Sequence, residues 1–75
     1  MNKTRRQQLR KWLKDMENIK SELETICSDE QDYFDNMPEN LQGSQRGSDS
    51  EEAIEQMEEA VSSLEDAISV IEDIV

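Results

Sequence analysis

An all-α fold, two long helices folded back antiparallel as a coiled-coil-like hairpin, follows from three features of this sequence. Apolar residues recur at heptad spacing through both halves. A single proline and two glycines separate those halves, and basic and acidic residues are segregated along the chain. Alternating steps of three and four put side chains on one helical face, so a sustained run of them is a stripe that must be covered.

The first pattern steps through Leu9, Trp12, Met16, Ile19, Leu23, Ile26, Glu30, Tyr33 and Met37 without a slip. Leu13, Cys27 and Phe34 widen the stripe, and Lys20 interrupts the widening column. Thr4 and Gln7 are candidate caps for its start. Pro38 stops it, because the residue before a proline resists helical geometry and proline has no N–H to donate. The expected helix covers residues 4–36.

Residues 37–47 are the expected loop, rich in turn formers, with the bend at Gly43. Asn40, Gln42 and Arg46 are side chains there that periodicity does not explain, and loops on rigid scaffolds often carry recognition. A plain connector with capping side chains accounts for them equally well.

The last third repeats every seven residues. Its core column reads Ala53, Met57, Ala60, Leu64, Ala67, Ile71 and Ile74, widened by Ile54, Val61, Ile68 and Val75. Ser48 with Glu51 three residues later forms a capping box, giving an expected helix over residues 48–74. Residues 44–47 also suit a backward extension of it.

Charge sets the relative direction. Of the formal net charge of −11, none of the negative part lies in residues 1–14, which hold Lys3, Arg5, Arg6, Arg10, Lys11 and Lys14. From Asp49 onward there is no base at all. Each helix is therefore charged against its own dipole, and Glu51/Glu55 and Glu55/Glu59 repel at four-residue spacing. Antiparallel folding puts the basic start beside the acidic end. A bend at Gly43 pairs Trp12 with Ile74, Ile19 with Ala67, Leu23 with Leu64 and Ile26 with Ala60.

Three apolar positions per heptad suit a bundle, and one partner helix does not cover them. The core set Leu9, Trp12, Met16, Ile19, Leu23, Ile26, Met57, Leu64, Ile68 and Ile71 is therefore expected to close a homodimeric four-helix bundle. The alternative is a monomer whose open face docks on another protein.

The residue inventory argues against an enzyme. Histidine is absent and Cys27 is the only cysteine, so there is no usual general base, no internal disulfide and no Cys/His zinc site. No cofactor or metal is expected. A lone thiol suits a reducing compartment, and no apolar segment follows the basic start as a signal peptide requires, so cytoplasmic residence is expected. No stretch has the length and apolarity of a membrane span.

Glu51, Glu55, Glu58 and Glu59 are the candidate partner-binding acids. Carboxylates spaced along a rod imitate the phosphates of a duplex and are steered into cationic channels; a solvated helix face has the same composition. Direct nucleic-acid binding by the basic start is opposed by the net charge. Arg46 beside the loop glycines is a candidate anion or nucleotide cradle.

The start Met1-Asn2-Lys3-Thr4-Arg5-Arg6, the centre running from Asp35 through Pro38 and Gly43 to Gly47, and the Glu-Glu-Ala-Ile heptads resemble small acidic helical proteins of phages, prophages and gut bacteria. The resemblance implies a viral or mobile-element setting, where small acidic proteins often block a host protein, and it assigns no activity to any residue. Together these features lead to a protein-binding module that inhibits a host defence or DNA-processing protein. A purely structural homodimer and a small phosphate-ligand binder are the alternatives.

Overall fold

The computed structural model describes residues 1–75, and all of its regular structure is helical. Three helices follow in order: α1 (Lys3–Asp35, 33 residues), the single turn α2 (Glu39–Gln42) and α3 (Gln45–Ile74, 30 residues). The shape is a rod with extents of 58 × 14 × 13 Å. At 1.5 Å per residue a 33-residue helix spans about 50 Å, so α1 runs nearly its full length.

Helix α1 is capped by Asn2, whose Oδ1 accepts from the Arg5 N–H at 2.8 Å; Thr4 and Gln7 lie within the helix instead. It ends one residue short of the expected 36, with Asn36 as the C-cap. The Asn36 side-chain amide donates to the Asp32 carbonyl at 2.8 Å. Pro38 then stands immediately before α2, in a segment expected to be loop throughout.

Helix α3 starts at Gln45 behind the N-cap Ser44, three residues earlier than a capping box at Ser48 implies. Ser48 is helical, its N–H donating to the Ser44 carbonyl at 2.9 Å. The reason for the earlier start is packing. Gly47 is buried beneath α2, so close that a Cβ there would collide with the Gln42 backbone, whereas Gly43 has nothing within 4 Å of the same position. Burial against α2 holds residues 45–47 in the helix.

Helices α1 and α3 touch along their length, and the contacts run in opposite senses. Arg10 donates to the Val75 carbonyl at 3.5 Å, Lys20 pairs with Glu65 at 3.3 Å, the Cys27 thiol lies 3.9 Å from the Ile54 carbonyl, and Ser50 donates to the Glu30 carboxylate. Early residues of α1 thus meet late residues of α3.

The packed column differs from the one the heptad reading favours. Leu13, Ile54 and Ile68 are buried, and Lys20, Cys27, Phe34 and Val61 are half-buried beside them. Trp12, Ile19, Ile26 and Tyr33, expected in the core, are 54%, 54%, 57% and 45% exposed, and Ala60 and Ile74 also lie outside. Of the expected core set, Leu9, Met16, Leu23, Met57, Leu64 and Ile71 are half-buried and Ile68 is buried. Both helices are rotated by one column, so that 13/20/27/34 faces 54/61/68/75.

The cause lies in α3. Its alternative column is Ala53, Ala60, Ala67 and Ile74, and apolar burial scales with area at about 25 cal/mol per Å². Turning Ile54, Val61, Ile68 and Val75 inward removes far more apolar surface from water than turning in three alanines. On α1, the same rotation leaves the Trp12 N–H and Tyr33 O–H at the surface, where water satisfies them. The Lys20 ammonium reaches out of the seam to Glu65. Glu30, the one acid in a core column, is held by Ser50, which is 5% exposed.

Candidate functional site

One long side of the helix pair is acidic. Three shallow hollows follow each other along it. The first, about 400 Å³, is lined by Glu17, Lys20, Glu24, Glu65 and Glu72 with Ser21, Ile68 and Ser69. The second, about 360 Å³, is lined by Glu24, Cys27, Ser28, Gln31, Glu58 and Val61. The third, about 260 Å³, has Gln31, Phe34, Glu51, Ile54 and Glu55. Acids from both helices share each of the first two walls, so the groove between α1 and α3 is a line of carboxylates with Lys20 as the cation among its lining residues.

Helical geometry explains the line. Glu51, Glu58, Glu65 and Glu72 recur every seven residues, as do Glu17 and Glu24, each set standing just beyond the packed column. The sequence candidates fall on it unevenly. Glu51, Glu55 and Glu58 line the groove, whereas Glu59 is exposed and lines none of the hollows. Glu17, Glu24, Glu65 and Glu72 belong to the same face and lie outside the stretch where acids crowd most densely in the sequence. Their seven-residue recurrence is legible in the sequence once the packed column is known.

The loop candidates are not gathered with these acids. Gln42 is structural: its side-chain amide donates to the Phe34 carbonyl in the last turn of α1 and to the Met37 carbonyl just beyond it, at 3.2 and 3.3 Å. Asn40 and Arg46 are exposed. Gly47 faces the Gln42 backbone, so its surface is covered by α2.

Crowded carboxylates have a measurable consequence. With Lys20 set among Glu17, Glu24, Glu65 and Glu72, salt screens more repulsion than attraction in the groove. Raising the salt from about 0.01 to about 0.5 M, which shortens the screening length from about 30 Å to a few ångströms, is expected to raise the melting temperature. Lys20→Glu is expected to lower it at low salt and to lose most of that effect at high salt. The ion pair itself, half-buried at Lys20 and exposed at Glu65, contributes only about 0–1 kcal/mol. Thermal melts of both proteins at two salt concentrations check this; a melting temperature that falls with salt would show that cross-helix pairing outweighs repulsion.

The opposite side of the pair is apolar. Since the groove takes Glu17 and Glu24 of α1 together with Glu58, Glu65 and Glu72 of α3, the columns on the other flank share the other face. These are Trp12, Ile19, Ile26 and Tyr33 on α1, and Ala53, Ala60, Ala67 and Ile74 on α3. None of these residues lines a hollow. Val70, also exposed, extends the patch beside Ile74.

No helix is long and apolar enough to cross a membrane. Comparison with protein-family models, with curated proteins and with solved structures finds no match.

Proposed function

We propose that this chain is a non-enzymatic protein-binding module of a phage or mobile element, a hairpin that presents its acidic groove to a cationic surface of a bacterial host protein and inhibits it. The observation that carries the reading is the line of carboxylates along the groove, Glu17 and Glu24 from α1 and Glu51, Glu55, Glu58, Glu65 and Glu72 from α3, with Lys20 as the one base lining it. A channel built for nucleic acid concentrates polyanions and is steered toward them at rates that fall with ionic strength. A host DNA-processing or defence protein is accordingly the class of target.

The test is affinity capture from a bacterial lysate with the wild-type chain and with a variant carrying Glu24→Gln, Glu58→Gln, Glu65→Gln and Glu72→Gln. The expected result is a nucleic-acid-binding protein retained at low salt by the wild type, released by moderate salt and absent from the variant. Its binding to nucleic acid should fall when the wild-type chain is added. A captured protein indifferent to both charge and salt would overturn the acidic groove as the binding face.

A second reading is favoured by the exposed Trp12, Ile19, Ile26 and Tyr33 column: a structural homodimer, closed as a four-helix bundle, without inhibitory role. It predicts self-association that survives the four glutamine substitutions. The two readings use opposite faces and are compatible in one molecule.

A further inference from the structure

We infer that the apolar face is the seat of a second copy of this chain, docked antiparallel so that α1 lies on α1 of the partner about a two-fold axis beside residues 22 and 23. This rests on the dimer reading above and adds the direction and register.

Area is the first argument. A compact monomer of 8.7 kDa exposes about 4,700 Å² by the surface–mass scaling of folded proteins. This chain exposes 5611 Å² and buries only 6 of its 75 residues. The excess of about 900 Å² is close to the roughly 800 Å² that each partner contributes to a stable interface.

The stripe is also self-complementary. Its α1 column reads Trp, Ile, Ile, Tyr at positions 12, 19, 26 and 33. Reversed on itself, it puts Trp12 opposite the partner's Tyr33 and Ile19 opposite the partner's Ile26, aromatic on aromatic and aliphatic on aliphatic. The midpoint falls between residues 22 and 23. The α3 column at 53, 60, 67 and 74 has its midpoint between residues 63 and 64. Shared hollows put Glu24 near Val61 and Cys27 near Glu58, so residues 22–23 lie beside about 62–63 of α3. Both columns are thus centred at nearly the same height, as a single two-fold axis requires.

Charge selects the direction. Residues 3–14 of α1 hold six bases and no acid, while residues 15–35 hold eight acids and one base, Lys20. Antiparallel docking sets the basic residues 3–14 level with the partner's residues 31–42, which hold three acids and no base; Arg10 stands in the groove column with Glu17 and Glu24, so this attraction acts at long range and not through pairs within the contact. Docking with both turns at one end would instead gather both basic starts at one end and both acidic stretches at the other. The antiparallel dimer carries a cost in the acidic column beside the stripe, where Glu22 stands near the partner's Glu22 and Asp15 and Asp29 near the partner's Asp29 and the partner's Asp15, and α3, which has no base after Arg46, lies on α3.

A spin label at Gln8, an exposed residue, reads the geometry directly. The protein is Gln8→Cys in a Cys27→Ala background, studied as the full chain with sedimentation alongside. Antiparallel docking puts residue 8 level with the partner's residue 37, so the label pair is separated by about 29 helical steps, roughly 43 Å. Docking with turns together keeps the labels at one height and the distance near helix-packing dimensions, below about 25 Å. Ile26→Asp should abolish the inter-label distance and give a monomer that remains helical by circular dichroism. A long distance lost on Ile26→Asp supports the inference. A short distance overturns the direction while leaving the dimer standing, and a dimer that survives Ile26→Asp overturns the face. A helical monomer at every concentration overturns both inference and dimer.

Discussion

Ile54→Ala is expected to cost about 2–4 kcal/mol, the range for truncating a buried isoleucine, whereas Ile26→Ala should change stability by no more than about 0.5 kcal/mol at concentrations where the chain is monomeric. Both are isoleucines in long helices, and both sit in a column of the heptad pattern. Ile54 is 6% exposed and faces the seam beside Cys27, while Ile26 is 57% exposed. A domain of this length is held by only about 4–11 kcal/mol, so the first substitution removes a large part of it. Urea titrations at low protein concentration measure the difference. Equal losses at the two positions would mean that α1 packs through the 12/19/26/33 column after all. At high concentration the contrast should narrow, because Ile26 then lies in the proposed dimer contact.

Gly47→Ala and Gly43→Ala should have effects of opposite sign. Alanine in a helix interior is favoured over glycine by about 1 kcal/mol, so an exposed Gly47 would gain from the change. Here the added Cβ collides with the Gln42 backbone. Either α2 is displaced, giving up its packing and the Gln42 caps on α1, or the α3 start unwinds. A net loss of about 1–3 kcal/mol is expected, as for overpacking elsewhere. Gly43 has φ −86° and open space around its Cβ position, so alanine there should stabilise by about 0.4–1 kcal/mol through the unfolded chain. Thermal melts of the two variants read the signs directly. Stabilisation by Gly47→Ala would show that α2 does not rest on α3 in solution.

The loop candidates bring out why part of the site was hidden. Gln42 reads as a recognition residue because no heptad position explains it, yet its amide closes the end of α1 by reaching eight residues back to Phe34. That use depends on where α2 lies, which is a packing outcome. Arg46 remains exposed, and Gly47 is spent on close approach rather than on an open cradle. Glu51, Glu55 and Glu58 were legible because acids crowd that stretch. Glu17 and Glu72 were not, because they are 55 residues apart in sequence and share a hollow only through the pairing of α1 with α3.

Sequence alone determined the helical state of both halves, the break at Pro38, and the three apolar or acidic columns that run along each helix, since these follow from periodicity and backbone chemistry local to each segment. Tertiary structure decided which columns met. Two helices side by side cover two columns apiece, and each chain segment offers three. The choice turned on a comparison between segments: Ile54, Val61, Ile68 and Val75 bury more surface than Ala53, Ala60, Ala67 and Ile74, and Lys20 tolerates the seam because Glu65 lies within reach. Rotating each helix by that one column moved Trp12, Ile19, Ile26 and Tyr33 to the outside and gathered the glutamates into one groove, because a helix cannot turn one face inward without turning the others with it.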